Sequence, residues 1–183
     1  MAIVLGLVLL AAFAWCVLAF NRLVRLRNQV KAGWSDIDVQ LLRRHDLVPL
    51  LVETVRAYAA HEKGLFERVT ALRSEAVSAS SPARLAEVEA ALEHDVGRLI
   101  VLKEAYPELK ASENFVKLQK DLVDVEDHLQ YARRFYNGAV RALNDGVQRF
   151  PDQLIAKSFG FKEAEFFEAG AGAEVAPKLD LAP

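Results

Sequence analysis

Residues 115–150 read FVKLQKDLVDVEDHLQYARRFYNGAVRALNDGVQRF. Phe115, Leu118, Leu122, Val125, Leu129, Ala132, Tyr136, Ala139, Leu143, Val147 and Phe150 recur at steps that alternate three and four until the last two. Side chains so spaced share one face of an α-helix. The stretch is therefore one long helix with a continuous apolar seam, a heptad pattern held for about five repeats. Ser112 and Glu113 supply its start and Pro151 its end. The seam fits two arrangements, the core of an intramolecular bundle or a coiled coil between copies.

Upstream lie three further stripes. Leu85, Val88, Leu92, Val96, Leu99 and Leu102 follow Ser81-Pro82, a capping hydroxyl with proline at the first helical position, and run to Tyr106-Pro107. Leu65, Val69, Leu72 and Ala76 precede the Ser- and Pro-bearing turn at 78–82. The first and longest stripe is Leu23, Leu26, Val30, Trp34, Ile37, Leu41, Val48, Leu51, Val55 and Tyr58, with one seven-residue gap at Arg44 and a soft stop at 61–64. Pro49 lies inside it. Its ring collides with the carbonyl of His45 and its nitrogen donates no hydrogen bond, which predicts a kink or break between them.

Four amphipathic segments joined by short turns, with no strand-like alternation, predict an all-α protein. The expected architecture is an N-terminal transmembrane helix followed by an antiparallel up-and-down four-helix bundle. The outer helices are longer than the middle pair, so their ends should project or pack on each other. An aromatic segment (Phe159, Phe161, Phe166, Phe167) is expected to dock back on the bundle. The expected division is an anchor at 1–21, a helical domain at 22–168 and a disordered tail at 169–183.

Residues 1–20 carry no charged side chain, and Arg22, Arg25, Arg27 and Lys31 follow at once. A run of ~20 apolar residues matches the ~30 Å hydrocarbon core of a bilayer. A cleaved signal peptide is the competing reading, with Ala12-Phe13-Ala14 as a small-x-small cleavage site. Against it, no Lys or Arg precedes the run, and residues 15–20 extend the run past that site. Bulky Trp15 also stands where a lipidated Cys16 would need a small neighbour. The chain thus reads as a single-pass cell-membrane protein. Basic residues beside a span favour the cytoplasmic side, so the N-terminus is expected outside and the body in the cytoplasm. The same four cations suit anionic lipid headgroups, at ~1 kcal/mol each.

Composition excludes several functions. A net charge of −2 gives no basic field for nucleic acid, and a single cysteine permits neither an intrachain disulfide nor a cysteine metal cluster. Di-iron bundles use Glu-x-x-His, but Leu42, Tyr58, Ala91 and Val125 stand three residues before the four histidines. His61-Glu62 does not extend to a zinc-protease motif, because Leu65 occupies the second histidine's place. No phosphate loop or nucleophile elbow is present. The sequence thus predicts a non-enzymatic protein with no cofactor.

The motifs Val30-Lys31-Ala32-Gly33-Trp34-Ser35-Asp36-Ile37-Asp38, Arg43-Arg44-His45-Asp46-Leu47-Val48-Pro49, Glu104-Ala105-Tyr106-Pro107-Glu108-Leu109 and Ala132-Arg133-Arg134-Phe135-Tyr136-Asn137 together resemble the LemA family. The resemblance covers about residues 21–168 and implies an N-terminally anchored, all-helical membrane protein. It brings no enzymatic activity with it. Gly33 and Leu50 depart from the family pattern, which more often has alanine and asparagine there.

Two clusters are candidates for an interaction surface. Asp36 and Asp38 flank the stripe beside Trp34, suited to a cation or a basic partner, or simply to paired or solvated acids. Arg43, Arg44 and His45 precede Pro49. They are donors for the carbonyls it frees, or a recognition patch shared with Arg133 and Arg134 of the last helix. The functional expectation is a scaffold or adaptor that binds a partner protein at the cytoplasmic membrane face. The alternative is a self-associating protein that binds lipid or shapes the membrane.

Overall fold

The computed structural model describes residues 1–167, so the predicted tail at 169–183 lies outside the described residues. The chain is all-α, with no strand among the described residues: α1 (Ala2–Arg56), α2 (Lys63–Ser78), α3 (Pro82–Val101), a 3₁₀ turn (Leu102–Glu104), α4 (Pro107–Lys110), α5 (Glu113–Gln148) and α6 (Asp152–Ser158). The helix starts follow local chemistry. Ser81 Oγ accepts from Arg84 N at 3.3 Å with Pro82 next in line, and Ser112 Oγ accepts from Phe115 N at 3.4 Å. At the end of α6, Gly160 takes φ +69°, and Phe161 N donates back to Ala156 O at 2.9 Å. That left-handed cap reverses the chain and turns Phe161 inward.

Within α1 the apolar run forms a helix long and apolar enough to cross a membrane, with almost none of its surface buried. The predicted break at Pro49 does not occur, since α1 continues to Arg56. The carbonyl that Pro49 strands, that of His45, accepts instead from Arg73 Nε at 2.7 Å. The sequence reading assigned this task to Arg43, Arg44 or His45; a residue of α2 performs it. Arg73→Met should cost about 2 kcal/mol by leaving that carbonyl unpaired. Pro49→Ala in the same chain should restore much of the loss by returning an amide donor. Thermal unfolding of the two single variants and the double variant checks this non-additivity.

By its contacts the chain divides into two compact units, each built by α1 and α5 with different neighbours. The first comprises Met1–Arg44 and Val123–Phe166. Here α1 and α5 run antiparallel: Trp34 packs on Tyr136 and Arg43 pairs with Asp124, while Arg22 pairs with Asp152 at the start of α6. Glycine permits the close approach at one point, where a Cβ on Gly33 would lie 3.0 Å from the Cα of Tyr136. A second cluster joins Ala19 and Leu23 to Ile155, Ala156 and Phe161.

The second unit comprises His45–Leu122 together with Phe167. Four helical segments share its core: Val48, Leu51 and Val55 of α1, Leu65, Phe66 and Val69 of α2, Leu92, Val96 and Leu99 of α3, and Phe115 and Leu122 of α5. The predicted stripes supply most of these residues, and burying each such side chain stabilises the fold by about 1.5–3 kcal/mol. Two seam assignments need correction. Phe150 lies beyond the end of α5 and is exposed, and Tyr58 lies in the turn after α1, also exposed.

Candidate functional site

Arg44 fills the gap in the apolar stripe of α1, and it is buried. In the first unit its Nη1 lies 3.6 Å from Glu126 Oε2, while Arg133 Nη1 lies 3.7 Å from Glu126 Oε1. One carboxylate of α5 thus sits between two guanidiniums, one from each helix. This brings together the Arg44 and Arg133 clusters suggested by the sequence, but inside the helix pair and not as an open patch. Arg44 is buried in this layer, while Glu126 and Arg133 keep 23% and 15% of their side-chain surface exposed. Arg43 makes a 2.9 Å pair with Asp124 in which both side chains remain about half exposed, worth only ~0–1 kcal/mol.

Of the other predicted residues, Asp36 and Asp38 are exposed on α1. Arg134 is exposed and stacks its guanidinium 4.6 Å from the ring centre of Tyr131. Tyr131 and Phe135, four residues apart on α5, are exposed, and so are Val39 and Leu42, three apart on α1. In this first unit, then, each long helix presents large apolar side chains beside charged ones: Asp38 and Arg43 on α1, Arg134 on α5. Those apolar residues were not singled out by the sequence reading. The signal was present, because they fall off the seam at positions that solvent alone would fill with polar residues.

Tyr136 is buried against Trp34, and its hydroxyl donates to the Glu165 carbonyl at 2.8 Å. Burial first, and then the Glu165 carboxylate, push its pKa above the ordinary tyrosine value. A raised folded pKa means that the stabilisation is complete below about pH 10, the unfolded value, and is lost as pH climbs through the folded pKa. In an alkaline absorbance titration Tyr136 should ionise after the exposed tyrosines. Tyr136→Phe should remove that late phase.

In the second unit His45 is buried and its Nε2 lies 2.6 Å from Oε1 of Glu89, a carboxylate with no exposed surface. Asp95 is equally buried and is ringed by Arg68 at 2.9 Å, His94 at 3.2 Å and Arg98 at 3.5 Å. The sequence reading missed both acids. They occupy apolar-stripe positions of α3, each three residues from Leu92, and an acid in a stripe is the sign of a buried pair. Beside Pro49 an open concavity of about 440 Å³ is lined by Val48, Val52, Glu53, Arg56, Thr70 and Arg73. Among the described residues no group of three or more His, Cys, Asp and Glu is placed to hold a metal ion.

Magnetosome protein MamQ 2 of Paramagnetospirillum magneticum is 25% identical over 92% of this chain and 73% of its own length. Magnetosome protein MamQ of Magnetospirillum gryphiswaldense is 24% identical over 87% of the chain and 68% of its own length. Protein LemA of Metamycoplasma hominis is 24% identical, over 81% and 68% respectively. The LemA family profile matches residues 33–181, which takes in Arg44, Glu126, Arg133 and the His45–Glu89 pair, and the chain belongs to the LemA family.

Proposed function

We propose that this protein is a non-enzymatic scaffold or adaptor, held in the membrane by α1 and binding a partner protein at the cytoplasmic face. The observation that carries the reading is the continuity of α1, one helix from Ala2 to Arg56. Anchor and body are a single element with no flexible linker between them, so whatever the body binds is held near the bilayer. Retention of the apolar run is supported by its packing, because Trp15, Cys16, Ala19 and Phe20 belong to a cluster with α6 and Phe161. A cleaved leader would remove these contacts. The partner surface in this reading is the exposed apolar and charged face of α5 in the first unit, Tyr131, Arg134 and Phe135.

A photo-activatable residue at Phe135, cross-linked in native membranes and followed by mass spectrometry, tests the proposal. One recurrent heterologous protein is expected from Phe135 and not from Val77 of α2. Self-cross-links alone would contradict the adaptor reading. They would favour the second one, a self-associating protein that binds or shapes lipid, to which the exposed Arg25 and Lys31 beside the span lend support. That reading requires binding to anionic vesicles that weakens steeply with salt.

A further inference from the structure

Phe150, Leu154 and Phe159 are 77%, 55% and 62% exposed, three large apolar side chains within ten residues. They belong to α6 and its two flanks, whose other face is fully used. Ile155, Ala156 and Asp152 are buried, Asp152 takes Arg22 at 3.0 Å, and Phe161 packs under Arg27 with 5.0 Å from guanidinium carbon to ring centre. This element does not sit at an arbitrary height on α1. It packs on Trp15, Cys16, Ala19, Phe20, Leu23 and Val24, and Phe20 meets the rings of Phe159 and Phe161 edge-on at 4.9 and 5.7 Å. Phe20 is the last residue of the apolar run. At 1.5 Å rise per residue, the contacts from Trp15 to Val24 straddle the end of the span by about 7 Å on either side.

From this we infer that α6 with Phe150 and Phe159 is a second membrane contact, a short interfacial element whose exposed apolar face enters the lipid between headgroups and acyl chains. The inference rests on the span itself, not on the partner-binding reading. The occupant is lipid because the patch is continuous with the lipid-facing surface of the span, and because its surroundings have interfacial chemistry. Exposed Arg149, Lys157 and Lys162 flank it, so their heads can reach anionic headgroups while the aromatic rings lie deeper. The consequence is orientational. A lone span lets the body swivel and tilt, whereas a second contact on one side of α1 sets the tilt of the span and the face the first unit turns to the bilayer.

The full chain in phosphatidylcholine/phosphatidylglycerol vesicles tests this, with Cys16→Ala as background and a nitroxide on a single cysteine at position 150, 154 or 159. Val8→Cys in the span and Val77→Cys on α2 are the references. Collisional relaxation by oxygen, which concentrates in lipid, should exceed that by a water-soluble nickel chelate at all three positions, with the opposite order at 77. The chelate prevailing at 150, 154 and 159 while oxygen prevails at 8 would overturn the proposal and leave the anchor standing. A label shielded from both reagents would mean that protein covers the patch, which also overturns it. The chelate prevailing at position 8 would instead remove the span, and this inference with it. Labels at 150 and 154 replace exposed side chains, and the one at 159 gives up the edge contact with Phe20; circular dichroism verifies that each labelled chain keeps the fold.

Discussion

Leu9→Arg combined with Leu10→Asp should release this protein from the membrane. Both residues lie near the middle of the apolar run, and each charge at that depth costs about 3 kcal/mol on insertion scales, roughly 6 kcal/mol together. Neighbours at i and i+1 on a helix point apart, so the two charges cannot neutralise each other. Wild-type protein should stay in the pellet after carbonate extraction of membranes, while the double variant should move largely to the supernatant. Ser35→Arg, on the exposed surface of the same helix, should stay with the pellet. If the double variant remained carbonate-resistant, the apolar run would not be what holds the chain in place.

The second large effect belongs to the interior. Glu89→Ala should destabilise the protein by about 3 kcal/mol, because it leaves a buried His45 nitrogen without its 2.6 Å partner and opens a void in α3. For a chain of this size that corresponds to a fall in Tm on the order of 10 °C, readable by circular dichroism in detergent. Replacing both partners with leucine should cost much less than Glu89→Ala, because it removes the buried imidazole together with the carboxylate that answers it. A double variant as damaged as the single one would mean that the pair does something beyond holding α1 to α3.

The two experiments differ in how much of their basis was legible in the sequence. The span was plain: twenty uncharged residues and a basic flank admit few readings. The four helices of the second unit's core were equally plain, because their apolar stripes step by three and four and their starts carry Ser81-Pro82 and Ser112. Pro49 was legible only in part. The stranded His45 carbonyl follows from the covalent chemistry of proline, but the donor Arg73 comes from another helix, twenty-eight residues away. No local rule names it.

The candidate site shows the same division. The gap at Arg44 announced that something polar lay in the stripe of α1. Which carboxylate answered it depended on the register between α1 and α5, set by Gly33 against Tyr136 and by Gly146 against Leu23 and Leu26. Glycines in a helix normally read as weak points, at about 1 kcal/mol each. Here two of them sit where a Cβ would press on the facing helix, at 3.0 Å for Gly33 and 3.1 Å for Gly146. Phe150 failed as a seam residue for a related reason: periodicity continues arithmetically past a helix end, whereas burial does not.

The proposed placement of the body at the cytoplasmic membrane face is open to one direct labelling experiment. Val77→Cys, an exposed position on α2, is introduced with Cys16→Ala into the full chain and treated with a membrane-impermeant maleimide in spheroplasts. The cysteine should react only after the membrane is permeabilised. Reaction in intact spheroplasts would put the body outside and contradict the account.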